Sequence, residues 1–544
     1  LGVALIDDPI EVGRIRRDEF RSLVISLALL GDPSGINIQT FPAMIDPYNV
    51  NDNFTTFLNS NYIYVIVGRL FENESFGDYV GGFMAGAFGE DIDLVMSTPS
   101  DAKGTTGVEE GIITKVELRN IMLSFKVLGL DESTEITEDK IFGLYGQNDV
   151  EGVDDLDRFI QSKYLVDKLS TILTSETVVN MLSAGRFTYA EFVLPTSAYE
   201  TVDGRVRLTH NEIVAMFAGI DLIGPEKIIE GTFTEQDVFG LGEQINDILV
   251  SDYLYTAIDL MLKSEPSFSV PAAALETSGV YEGMVMKSEI SDIFNAITIL
   301  GSEDGSFPSE ETITVGQLQQ LIDETDSSIL QSFISEAIIS TLGIDNIPSD
   351  AFEDVELLTN DEIEAIVEAL SVISGDPDAL IIDVADMIDD LTLDQVNDID
   401  LTETGSKTIK QMITDNVISQ LGLTNIPDDA YAPLSNEEDV VLLAVTLEGS
   451  GPKRFSDTEL ANIIEAINVL LNNDGSALIT SISPNVTVQQ TVGLKLNQSF
   501  VIRQLISDKI EEALSSVVDI PAEAYIDVEK TRLDRALQNK EILS

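Results

Sequence analysis

One histidine, no cysteine and 95 carboxylates are the side chains from which any chemistry in this 544-residue chain would have to be built. His210 stands in Thr209-His210-Asn211-Glu212, a context that places it in the first turn of a helix. A lone imidazole without thiolates cannot anchor a zinc site or a Ser-His-Asp relay, so it reads as a solvated first-turn residue. Carboxylate pairs could do acid and base work, but with so many acids close pairs are inevitable and none is singled out. An enzyme would need activity from carboxylates alone. The expectation is a non-enzymatic chain with no catalytic residue, no cofactor-binding residue and no assigned metal ligand.

Calcium is the strongest of the metal readings, because Asp-rich turns recur at Gly31-Asp32-Pro33-Ser34-Gly35, Ser302-Glu303-Asp304-Gly305, Gly375-Asp376-Pro377-Asp378 and Asn472-Asn473-Asp474-Gly475. Read as an EF-hand loop from Asn472, the required Gly falls one place early and position 12 is Ser483 instead of Glu. Asx turns explain these segments better, and weak surface binding of calcium by clustered carboxylates is the alternative. The Gly-rich run Gly81-Gly82-Phe83-Met84-Ala85-Gly86-Ala87 has no Lys-Ser/Thr and no preceding strand, so it is no phosphate loop. Asn53, Asn73 and Asn497 open glycosylation triplets that matter only if the source modifies exported proteins.

The formal charge of −65 repels nucleic acid and anionic lipid, which removes them as partners. Such acidity suits a saline or cation-rich milieu, and a cell-surface or extracellular location is expected. Apolar residues recur at helical spacing throughout, so the charge belongs to a folded surface and not to a disordered chain. No apolar run reaches the roughly 18 residues that would span a bilayer. The chain begins at Leu1 without Met, which suggests a processed or partial product.

Sliding the chain against itself reveals the elements that organise it. The first landmark is a helix opening with a Ser/Thr cap and an acidic first turn, whose shared Glu falls at 19, 117, 212, 289, 362 and 459. Gly31, Gly129, Gly224, Gly301 and Gly375 follow as stop signals. The second landmark is a helix opened by a capping Ser at 60, 162, 251, 328, 406 and 499. The third is Pro-x-x-Ala before an aromatic residue or Leu, starting at Pro195, Pro271, Pro348, Pro427 and Pro521, with Met84-Ala85-Gly86-Ala87-Phe88 standing in its place in the first copy. Between the first two landmarks a segment such as Thr312–Ile322 offers a short strand and a further helix.

Three landmarks in constant order predict a mainly α protein with short β segments: an elongated tandem array of about six modules, each reading helix, short strand, helix, helix and Pro-x-x-Ala exit. The module boundaries fall at 1–105, 106–204, 205–280, 281–355, 356–447 and 448–544, the last with a C-terminal tail. The lone extended pieces are expected to pair within a module or against the next one. Such arrays need capped ends, yet this chain opens on apolar Leu1-Gly2-Val3-Ala4-Leu5-Ile6 and ends with the relatively basic, helix-compatible tail Glu529–Leu537. The expected function is therefore a subunit of a filament, sheath or stalk that associates head to tail. The alternative is an adhesin that binds a surface protein or glycan through the aromatics Tyr62, Tyr64, Phe71, Phe76, Tyr79, Phe83 and Phe88.

Overall fold

The computed structural model describes residues 15–31, 38–72, 98–130, 140–146 without 142, 154–224 without 184, 241–264, 270–300, 313–432 and 453–514. Within the last two ranges 325–326, 344–345, 355–356, 424–425, 472–474, 480–487 and 495–497 are excepted. The protein is mainly helical with few short strands, as expected. Two compact units divide it: residues 1–307 with 325–330, and residues 308–324 with 331–544.

Six helices carry the shared glutamate: Arg17–Leu30, Lys115–Val127, His210–Ile223, Lys287–Leu300, Asn360–Ser374 and Asp457–Leu470. Four begin because a hydroxyl satisfies an orphan amide. Thr114, Thr209, Thr359 and Ser456 each accept from the N–H of the glutamate three residues on. Arg16 opens the first helix without a side-chain cap. Four of the six end where glycine supplies positive φ, at Gly31, Gly129, Gly224 and Gly375, conformations that would strain any side chain, while Asp457–Leu470 ends at Leu471. Gly301 lies outside the described residues.

Six more helices follow a serine: Asn61–Leu70, Lys163–Leu173, Asp252–Ser264, Ser328–Leu342, Lys407–Leu421 and Phe500–Leu514. In five of the six pairs the glutamate helix packs on its own serine helix. In the first unit the buried residues include aliphatic side chains and fully buried Phe54, Tyr164, Phe217, Tyr253, Tyr255 and Phe294.

Each described Pro-x-x-Ala makes a tight turn with its Ala fully buried and the Ala N–H bonded to the Pro carbonyl, at Ala198, Ala274, Ala351 and Ala430, and the last three of these are single turns of 3-10 helix. The same turn occurs at Pro99-Ser100-Asp101-Ala102. The stand-in that sequence places at 84–88 lies outside the described residues. The turn at Pro99 escapes the sequence pattern because polar Lys103 follows it where the others carry an aromatic residue or Leu. Pro521 also falls outside the described residues.

The extended residues after the turns pair with the approach to the next glutamate helix. Among the described residues two hairpins result: β1 (Tyr199–Val202) with β2 (Arg205–Leu208), and β3 (Phe352–Asp354) with β4 (Leu357–Leu358), both antiparallel. Elsewhere the pairing shrinks to single bridges, Lys103 with Ile113, Leu275 with Val285 and Tyr431 with Phe455. The segment around Thr314 pairs with Leu380, again with a later part of the chain. Among the described residues no helix is long and apolar enough to cross a membrane.

Candidate functional site: a recurring carboxylate clasp

The shared glutamate, read from sequence as part of its own helix start, turns its carboxylate away to the serine helix. Glu212 Oε1 accepts from Ser251 Oγ at 2.6 Å and from the Tyr253 amide at 2.8 Å, and its Oε2 accepts from the Asp252 amide at 3.1 Å. Ser251 Oγ in turn accepts from the Leu254 amide. A carboxylate and a hydroxyl together satisfy three amides that a helix start leaves without partners, and the negative charge meets the positive end of the helix dipole.

The same geometry recurs at Glu19 with Ser60, Glu117 with Ser162, Glu289 with Ser327, Glu362 with Ser406 and Glu459 with Ser499, at 2.5 to 2.8 Å. All six glutamates are buried, between 2 and 6% exposed. In the fourth clasp the capping residue is Ser327, not Ser328, whose amide instead donates to Glu289. Two adjacent serines make this register ambiguous in sequence, and the position of the buried carboxylate decides it.

The clasp is built for fastening. In five of the six, donors of the fold occupy both carboxylate oxygens, and in Glu117 two donors share Oε1 of a side chain that is itself buried. Burial pushes the Glu117 and Glu212 carboxyls above the ordinary 4.5, outweighing their hydrogen bonds. At Glu19 burial is again the largest single effect, yet the combined donors Tyr62, Ser60 and Asn61 outweigh it and hold the carboxyl below 4.5. The depressed Glu19 therefore contributes stability above pH 4.5 that is lost as pH falls through its folded value, whereas raised Glu117 and Glu212 contribute theirs in acid and lose it as pH rises. Hydrogen exchange below pH 4.5 should thus show residues 60–63 losing protection before residues 162–165 and 251–254. The reverse order would refute this assignment of charge states.

A second set of contacts ties each of the first five serine helices to the residue preceding the following cap. Eight residues beyond the serine, Ser170 Oγ accepts from the Leu208 amide at 3.0 Å, Asp259 Oδ1 from Val285 at 2.7 Å, Ser335 Oγ from Leu358 at 3.3 Å and Thr414 Oγ1 from Phe455 at 3.2 Å. Four residues beyond it, Tyr64, Tyr255 and Gln331 donate to the carbonyls of Ile113, Val285 and Leu358. The carbonyls of Ala102, Ala198, Ala274, Ala351 and Ala430 accept from the amide that follows each of these gripped residues. Sequence reasoning missed this set, since only a polar atom is required and its residue type changes from place to place.

Salt bridges reinforce two of these junctions in the same pattern. Asp101, in the turn at Pro99, meets Lys163 at 3.2 Å and Arg207 at 2.8 Å. Asp350, in the turn at Pro348, meets Arg454 at 2.8 Å and Lys407 through its backbone carbonyl.

The other candidate residues are not drawn together. His210 is the first residue of its helix and 57% exposed, with Nε2 3.7 Å from Asp157 Oδ1 on the rim of an open groove of about 600 Å3. Asp376 Oδ1 accepts from the Asp378 amide at 3.0 Å, the expected Asx turn. The turns at 32–35 and 302–305 and residues 472–474 lie outside the described residues. Of the early aromatics, Tyr64 and Phe71 are core and Tyr62 is exposed, while Phe76, Tyr79, Phe83 and Phe88 are outside the described residues.

No protein-family description matches the chain. Among curated proteins none is similar to it. No solved structure matches it either.

Proposed function

We propose that this chain is a non-enzymatic structural repeat protein of the cell surface or extracellular space, an elongated array of about six homologous modules that serves as a subunit of a filament, sheath or stalk. The observation that carries this reading is the clasp itself: six buried glutamates fasten six helix starts by one geometry, each in its own stretch of chain. The clasp fastens the two helices of each module, and contacts such as Leu208 with Ser170 and Phe455 with Thr414 tie one module to the next, which is the nearest-neighbour pattern of a repeat array. The acidity of the chain accords with an exported protein in a cation-rich setting, where counterions relieve repulsion.

Head-to-tail association completes the proposal, because a heterologous contact that does not close produces an open filament. The basic tail 529–537 and apolar residues 1–6 are the segments that sequence suggests for it, and both lie outside the described residues. Purified chain examined by light scattering and negative-stain microscopy across salt and calcium concentrations should form filaments. Deletion of residues 530–544 should shorten them. A full-length chain that stays monomeric at every ionic strength refutes the reading.

A further inference from the structure

The outer face of the glutamate helix is covered in five places and bare in one. Positions one, five and eight after the glutamate are Leu118, Met122 and Phe125 in the second helix, at 0, 4 and 2% exposure, and they are no more than 6% exposed in the four helices that follow. Preceding elements pack on these helices: Asn53–Phe57 on Lys115–Val127, Val315–Glu324 on Asn360–Ser374, and Leu393–Asp398 with Lys407–Leu421 on Asp457–Leu470. In the first helix the equivalent residues are equally apolar, yet Phe20, Val24 and Leu27 are 58, 49 and 52% exposed. Ile15, which precedes that helix's cap as Leu208 and Phe455 precede theirs, is 43% exposed where those two are at most 1%.

The last serine helix carries the complementary gap. Its residues eight and eleven beyond Ser499 are Ser507 and Ile510, matching Ser170 with Leu173 and Ser335 with Ile338, which are all 3% exposed or less. Ser507 is exposed and Ile510 is 51% exposed, and Val492 in the neighbouring helix Val488–Gly493 is 78% exposed. Charge is complementary too. Exposed Arg17 and Arg21 outnumber Asp18 on the first glutamate helix, and exposed Glu511 and Glu512 outnumber Lys509, which meets Glu512 at 3.0 Å, on the last serine helix.

We infer that these two faces are the halves of one interface: helices Val488–Gly493 and Phe500–Leu514 of one molecule cover Phe20, Val24 and Leu27 of a second copy of this chain, with Ser507 taking the Ile15 amide. The joint between molecules then repeats the joint within them. This rests on the filament reading and names its contact. Regular spacing across the boundary follows, as does weakening by salt, because part of the attraction is exposed charge.

The absence of cysteine in the chain makes the test direct. An I15C/S507C double variant, allowed to assemble and treated with a short bismaleimide, should give a ladder of covalent multimers on a denaturing gel. L27D, at an exposed position that the isolated fold tolerates, should abolish both the ladder and the polymers while leaving the circular dichroism spectrum unchanged. Polymers without a ladder overturn this interface and leave the filament reading standing. Cross-linked monomer only, or L27D polymers indistinguishable from the parent, also overturns it, the second by showing that Leu27 is covered by the chain's own leading residues or by nothing. A chain monomeric under all conditions overturns both.

Discussion

Truncating Glu212 to alanine should lower the stability of the helices around it by about 3 to 4 kcal/mol, and Glu212→Gln by roughly 1 to 2. The alanine variant strands the Ser251 hydroxyl and the Asp252 and Tyr253 amides, all of which donate to Glu212 in a place that is closed to water. The cost is that of desolvated donors without acceptors, which exceeds the net worth of the bonds themselves. Glutamine keeps the shape and one acceptor oxygen but turns an amide NH2 toward a donor that the second oxygen served, hence its smaller effect. Because the chain comprises two compact units, the direct measurement is hydrogen exchange over residues 209–264. An alanine variant within about 1 kcal/mol of the parent would mean the clasp holds nothing together.

Tyr253→Ala should cost about 3 to 5 kcal/mol, while Tyr253→Phe should cost only about 1. The ring is 1% exposed and meets Phe192 edge to face, with centroids 5.0 Å apart. Its hydroxyl donates at 2.6 Å to the carbonyl of Leu173, in the last turn of the helix Lys163–Leu173. Alanine opens a cavity between helices held by two successive clasps, whereas phenylalanine only removes the partner of one carbonyl that a helix end leaves free. Urea unfolding of the two variants, followed by exchange in residues 163–173 and 252–264, separates the terms. Equal losses for both would put the hydroxyl, not the packing, in charge of the contact.

Much of the fold was legible because it rests on local rules. Capping hydroxyls at Thr114, Thr209, Thr359 and Ser456, terminal glycines at 31, 129, 224 and 375, and the Pro-x-x-Ala turns each satisfy or release a few backbone groups within a few residues. Their effect shows as a residue type at a fixed offset. The acceptors Ser170, Asp259, Ser335 and Thr414 left no such trace, since a hydroxyl and a carboxylate serve one geometry equally well.

The sequence by itself determined where helices start and stop, that a glutamate and a serine recur in step, and that the surface is strongly acidic. Only the tertiary structure decided that this glutamate and this serine, 38 to 45 residues apart, are two ends of one buried hydrogen bond, and that Ser327 and Pro99 are the members the pattern overlooked. Periodicity reports which face of a helix avoids water. Which distant amide a buried carboxylate must satisfy depends on how the helices pack, and packing is a property of the folded chain as a whole.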